Sequence, residues 1–313
     1  MVNFEIVEKK GCKEVAFVYL LKSKKDKNVF IECVESLDPP LPPSEKWVIT
    51  LSSQKGCPVG CVFCDASHYY KGNLSKEELF EQLNLILENH KDDNYLKSTK
   101  IKLHLARMGE PSFNDNVLDF LVEVAEKYRE VNFIPSIATV APKGREKWFF
   151  NLKEIKDKFF SSGRFQLQFS INTTDEDQRE EIMPAKKISF ADISKFGDFW
   201  LKEKDRLITL NFALCQDAIF KGENIVAHFS PQKFLIKITP LNPSGKNGKN
   251  NSLLDYDGFI PPTLNKEISF LQTKGFKIIV SIGSKKEIEI GSNCGQIAFF
   301  RTKEAERKIE NIV

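Results

Sequence analysis

Cys57, Cys61 and Cys64 stand in the run Cys57-Pro-Val-Gly-Cys61-Val-Phe-Cys64. A cubane [4Fe–4S] cluster ordinarily takes four cysteines, so three thiolates at this spacing leave one iron without a protein ligand. An open iron can bind and reduce a small molecule, which a fully ligated electron carrier cannot do. A second metal reading starts from the same residues. His68 extends the run to C-x3-C-x2-C-x3-H, a CCCH zinc pattern. Such zinc sites sit in small independent modules, whereas this run directly follows an apolar, strand-like segment of a long chain.

The elements that must position these thiols are legible in outline. Candidate strands at Trp47–Leu51, Ile101–Leu105, Phe133–Ala138, Phe165–Ser170, Leu207–Ala213, Leu235–Thr239 and Lys277–Ser281 alternate with helical segments. The helices are expected over Ser75–Glu88, Asp115–Tyr128, Gly144–Leu152, Asp175–Glu181, Phe190–Lys202 and Leu264–Lys274. Ser75-Lys-Glu-Glu78 is a capping box for the first of them. Repeated βα units predict a parallel sheet, here a partial (βα)6 TIM-like barrel of α/β class over residues 46–300. The cysteines then lie at the C-terminal end of its first strand, where barrel enzymes keep their sites. Ahead of it, residues 1–45 read as a β-hairpin extension (Glu14–Leu21 and Asn28–Val34) ending in the stiff linker Asp38-Pro-Pro-Leu-Pro-Pro. Residues 301–313 read as a tail.

Composition narrows the setting. Over 313 residues, 46 basic and 43 acidic side chains leave a net charge of +3, too balanced to argue for nucleic acid by itself. Hydrophobic residues make up 41%, with 26 Phe, enough for a large core. No apolar run reaches membrane-spanning length, and the N-terminus carries no signal-peptide pattern. Seven cysteines, an odd number, do not suggest a disulfide framework. The expectation is a cytoplasmic protein with metal-binding thiolates and no membrane partner.

The cysteine spacing is that of the radical S-adenosylmethionine (SAM) enzymes, and further segments narrow the resemblance. Ser52-Ser-Gln-Lys-Gly-Cys57, Met108-Gly109-Glu110-Pro111, Phe169-Ser170-Ile171-Asn172, Thr239-Pro-Leu-Asn242-Pro243 and Ser292-Asn-Cys294-Gly-Gln296 occur in the order seen in the Cfr/RlmN family of RNA adenine methyltransferases. The chain is similar to that family over roughly residues 14–300. The resemblance implies a [4Fe–4S] cluster on Cys57, Cys61 and Cys64. It implies SAM held by Gly109, Glu110, Ser170, Asn172 and Asn242, with Phe63 covering the cluster near the adenine. An external flavodoxin- or ferredoxin-type donor supplies the electron, and RNA is the substrate. In that family the cysteine matched by Cys294 carries a methyl group taken from one SAM. The glutamate matched by Glu32 accepts a proton from the RNA adduct. A serine on the third strand that contacts SAM falls near Ala138–Thr139 here.

Two departures accompany the match. The family's second essential cysteine, which resolves the covalent adduct, falls on Thr50, and a hydroxyl cannot form the required disulfide. Cys33, Cys12 and Cys215 are the alternative thiols. The family's N-terminal helical domain also has no counterpart ahead of the barrel. Three functions therefore remain open: adenine-carbon methylation of rRNA or tRNA, radical chemistry on a nucleotide, small RNA or peptide, and a non-catalytic zinc-stabilised RNA-binding protein.

Overall fold

A computed structural model describes residues 1–37, 41–242, 251–254, 257–293 and 296–310. The chain opens with three strands, β1 (Phe4–Cys12), β2 (Ala16–Ser23) and β3 (Phe30–Ser36). β4 (Trp47–Leu51) begins the parallel part, and a small hairpin of β5 (Gln54–Gly56) and β6 (Tyr70–Asn73) follows. Helices and strands then alternate: α1 (Lys76–Glu88), β7 (Ile101–Leu105), α2 (Asn116–Lys127), β8 (Phe133–Thr139), α3 (Glu146–Phe159) and β9 (Gln166–Ser170). The second half continues with α4 (Glu176–Ile182), α5 (Phe190–Trp200), β10 (Ile208–Leu214), α6 (Gly222–His228), β11 (Phe234–Pro240), α7 (Pro262–Thr273) and β12 (Ile278–Val280). α8 (Lys285–Ile290) and α9 (Gln296–Glu310) close the chain.

One sheet in the order β1-β2-β3-β4-β7-β8-β9-β10-β11-β12 carries the architecture. From β4 onward the pairings are parallel, with the helices as crossovers. This is the α/β sheet expected from the sequence. It remains open, with β1 and β12 as its edges. β1 was not anticipated because its residues, Phe-Glu-Ile-Val-Glu-Lys-Lys, are largely exposed and carry little apolar signal. The N-terminal strands are a three-stranded antiparallel meander rather than a hairpin, and β3 pairs antiparallel with β4, so the meander extends the same sheet. α3 runs to Phe159, beyond the expected Leu152, because Ile155 and Phe159 continue its core-facing stripe. α9 occupies the segment from Gln296, including the residues after 301 expected to form a tail. Ser75 and Glu78 form the anticipated capping box. Among the described residues no helix is long and apolar enough to cross a membrane.

The two faces of the parallel sheet differ in kind. Ile49, Leu103, Leu105, Ile137, Phe169, Leu210 and Ile236 are fully buried and join the main core with the helices. The opposite face is polar. Strand register places Thr50, His104, Ser136 and Gln166 in one row, and Ser170, Asn211 and Lys237 in another. An apolar helix-side face and a polar opposite face leave the second face suited to a hydrophilic ligand.

Candidate active site

The site begins where the chain leaves β4. Gly56 has φ +83, and a Cβ there would lie 1.8 Å from the Tyr69 carbonyl oxygen, so only glycine lets the two backbones meet. Across that contact the Cys57 N–H donates to the Tyr69 oxygen at 3.0 Å. The cysteine loop is then tied down on its far side. Val62 N–H donates to the Ile182 oxygen (3.0 Å) and Ala185 N–H to the Val59 oxygen (3.2 Å). The Ser67 hydroxyl, hydrogen-bonded to the carbonyls of Cys61 and Cys64, closes the turn.

The structure brings the three thiols into mutual electrostatic range. Burial, then the charge of Cys64, pushes the Cys57 thiol up, while the backbone of Val59 and Gly109 opposes the rise. Burial, then Cys64 and Cys57, raises Cys61 well above the ordinary thiol range. Such thiols stay protonated on their own and become thiolates when a metal cation supplies the balancing charge. Among the described residues no group of three or more His, Cys, Asp or Glu side chains is arranged to hold a metal ion. Cys57, Cys61 and Cys64 share one pinned loop, and three thiols are the number that would leave one iron of a cubane cluster open. The side chain of His68, the fourth position of the zinc pattern, lies outside the described residues.

Gly109 and Glu110, on the turn after β7, lock against this loop. Ser53 N–H donates to the Met108 oxygen at 2.8 Å, and Gln54 Oε1 accepts from Glu110 N–H at 2.8 Å. Gly109 takes φ +100, packed so closely that a Cβ would sit 2.6 Å from Gln54 Cβ. The Glu110 carboxylate is buried. Its Oε1 accepts from Ser112 N–H (3.1 Å) and the Ser112 hydroxyl (2.7 Å), and its Oε2 from Val140 N–H (2.8 Å). Burial raises its pKa against these donors and that of Thr139. These partners are neutral, so the carboxylate's charge suits a cationic group such as an ammonium. Thr139 thus meets Glu110, at the strand end where the resemblance expects a serine contact.

Phe63 is half-buried, packed with Val59, Val140 and Met183 beside Cys57 and Cys61. Asn172 takes a left-handed backbone (φ +62) at the end of β9. Its Oδ1 accepts from Ala213 N–H at 2.9 Å and its Nδ2 reaches the Met183 sulfur at 3.3 Å. Both ends of its amide therefore have protein partners. Ser170 lies on the polar face opposite Asn211, and Asn242 is half-buried just after β11. Cys294 lies outside the described residues. α9 packs against β3 and against the 3-10 turn Asp65–His68 that follows Cys64.

Glu32 is fully buried rather than open at the site. It is ion-paired to Arg107, whose Nε donates to Oε2 at 2.8 Å, and Oε1 accepts from Ala298 N–H at 2.5 Å. The pairing of Val34 with Thr50 puts Glu32, Val34 and Thr50 on the face away from the helices. Cys33 points the other way, fully buried in the helix-side core, and burial raises its thiol strongly. Cys12 packs near Val18, Val34 and Ile290, on Thr50's side, and Cys215 is half-buried at the end of β10.

Sequence reasoning passed over Gln54, Ser112 and Arg107. Gln54 sat within the matched Ser-Ser-Gln-Lys-Gly segment. Arg107, one residue ahead of Met108-Gly-Glu-Pro, gave no signal, because its partners are distant in sequence.

No family model matches the chain. Among curated proteins it is 27% identical over 277 residues to a probable dual-specificity RNA methyltransferase RlmN of Endomicrobium trichonymphae, spanning 83% of this chain and 71% of that protein. It is 23% identical over 275 residues to the dual-specificity RNA methyltransferase RlmN of Sulfurovum sp. strain NBC37-1, spanning 85% and 69%. Among solved structures it resembles a radical SAM methyltransferase from Sphaerobacter thermophilus, with a TM-score of 0.71 at 18% identity, covering 95% of this chain and 81% of that one.

Proposed function

We propose that the chain, which is similar to RlmN RNA methyltransferases over most of its length, is a radical SAM RNA methyltransferase that installs a methyl group on an adenine carbon of rRNA or tRNA. The observation that supports this most is the pair of hydrogen bonds that lock the Met108–Glu110 turn onto the entry to the cysteine loop, Ser53 N–H to the Met108 oxygen and Glu110 N–H to Gln54 Oε1, both at 2.8 Å. It joins a three-thiol loop and a buried carboxylate at the same end of a parallel sheet. In this reading Cys57, Cys61 and Cys64 hold a [4Fe–4S] cluster, and Glu110 receives the ammonium of SAM. Gly109, Ser170, Asn172, Asn242 and Phe63 complete the cofactor's surroundings. When bound, cluster and SAM supply a 5′-deoxyadenosyl radical, at the expense of one electron from a flavodoxin- or ferredoxin-type donor.

The chain's own residues shape what surrounds that chemistry. The backbone of Gly109 and Val59 favours thiolate at Cys57. Ser112, Thr139 and Val140 fix the direction of the Glu110 oxygens, so a cationic ligand meets a preset carboxylate. Cys294 is the methyl carrier in this reading. The test is peptide mass mapping of the anaerobically reconstituted protein after incubation with SAM. One methyl group on Cys294 is expected, and an unmodified Cys294 contradicts methyl transfer through it.

One observation favours a second reading. Thr50 faces the side away from the helices and Cys33 faces the opposite way, so the thiol nearest in sequence to Glu32 does not replace the missing resolving cysteine. Radical chemistry on a nucleotide, small RNA or peptide then becomes the alternative, marked by 5′-deoxyadenosine release without methylation of Cys294.

A further inference from the structure

Arg107 is buried one residue ahead of the Met108-Gly109-Glu110 turn, and its guanidinium faces away from that turn toward the C-terminal segment. Nη1 donates to the Ser292 carbonyl at 2.6 Å and Nη2 to the Gly291 carbonyl at 2.7 Å. Gly291 is the left-handed C-cap of α8, so Arg107 places its cation on the carbonyls that end that helix. Its ion-pair partner Glu32 does the converse. Glu32 Oε1 accepts the Ala298 N–H in the first turn of α9, where a helix N-terminus favours an anion. One buried ion pair thus serves the end of α8 and the start of α9, and Cys294 falls in the sequence between these two helices.

We propose that Arg107 is a positioning residue. With Glu32 it forms a latch that ties the end of α8 to the start of α9, on the two sides of the segment in which Cys294 falls, with α9 packed against β3 and the turn behind the cysteine loop. Glu32 Oε2 is taken by Arg107 and Oε1 by the Ala298 N–H. With both oxygens engaged, the first task of Glu32 is to hold the two helix ends together rather than to act as a free base. Only the identity of Cys294 as methyl carrier rests on the function proposed above; the latch itself does not.

The test compares the full-length, anaerobically reconstituted wild type with Arg107→Met and with the isosteric Glu32→Gln, which keeps the fold testable if the first variant fails to fold. Amide hydrogen exchange is followed over residues 291–299 and, as reference, over α1. Loss of either charge is expected to speed exchange over 291–299 about tenfold or more, with α1 unchanged. Methyl transfer to Cys294 is expected to fall while 5′-deoxyadenosine release on reduction with SAM persists. Arg107→Lys, which keeps a charge for Glu32 but lacks the fork that reaches both carbonyls, is expected to restore part of the protection. Unchanged exchange over 291–299 in both variants overturns the latch. A parallel fall of methyl transfer and 5′-deoxyadenosine release overturns the positioning role. If exchange responds but wild-type Cys294 never gains a methyl group, the latch stands and the proposed function falls.

Discussion

Gly109→Ala is the most exacting perturbation of the site, because a single methyl group tests its tightest contact. Two costs add. The residue holds φ +100, in the region that side chains rarely adopt, and left-handed backbone costs a non-glycine residue about 1–2 kcal/mol. The new Cβ would also lie 2.6 Å from Gln54 Cβ and 2.7 Å from Ser53 Oγ. Relieving such overpacking costs about 1–3 kcal/mol. The sum is about 2–5 kcal/mol, or a drop in Tm of about 4–10 °C for a chain of this size. Gly144→Ala is the control. It also has positive φ (+80) but nothing within 4 Å of its Cβ, so it carries the backbone cost alone. Relief of the clash must move Gln54, which accepts the Glu110 N–H. The Glu110 carboxylate shifts with it, and 5′-deoxyadenosine formation should fall about 100-fold, the cost of an ångström-scale misplacement. Thermal melting and 5′-deoxyadenosine release are measured for both variants beside the wild type. A Gly109→Ala protein that melts no lower than Gly144→Ala and keeps its SAM cleavage refutes the reasoning.

Cys61→Ser should abolish iron retention and 5′-deoxyadenosine release after anaerobic reconstitution while leaving the apo-protein's far-ultraviolet circular dichroism unchanged; retained iron at wild-type stoichiometry counts against the ligand set. Lys156 is a buried cation that meets Asp157, Asp205 and the Trp200 carbonyl. Lys156→Met should destabilise the protein by about 3–5 kcal/mol in urea unfolding without changing iron content, and a neutral result removes that ion pair from the account of the core. His90 lies between Glu35 and Asp93 and stacks on Tyr95. Burial of the imidazole opposes its protonation, but the hydrogen bonds to Glu35 and Asp93 outweigh burial and raise its pKa above 6.5. A raised histidine stabilises the fold fully below the unfolded value of 6.5 and progressively less as pH climbs through the folded value. The stability difference between wild type and His90→Gln should therefore shrink above pH 6.5; a difference that grows with pH contradicts the assignment.

The parallel core was legible because each βα unit pairs a short apolar strand with a capped, periodic helix, as in Trp47–Leu51 followed by Ser75–Glu88. The strands Trp47–Leu51 and Ile101–Leu105 appear with the bounds expected. β1 was not legible, since an exposed edge strand needs no apolar alternation. Of the site, the cysteine loop and the Gly109–Glu110 turn could be read because local motifs carry them. The environment of Glu32 could not. Its partners Arg107 and Ala298 lie 75 and 266 residues away, and nothing in the segment Ile31-Glu-Cys-Val34 announces a buried ion pair. The same holds for the opposed faces of Thr50 and Cys33, which follow from the β3–β4 register and not from either residue's neighbours in sequence.

The central claim is that the three thiols generate a radical from SAM. Its most direct measurement is anaerobic reconstitution with iron and sulfide, reduction in the presence of SAM, and quantification of 5′-deoxyadenosine. The account expects a brown protein that releases 5′-deoxyadenosine in a manner dependent on Cys57, Cys61 and Cys64. A colourless protein carrying stoichiometric zinc and releasing none would contradict it.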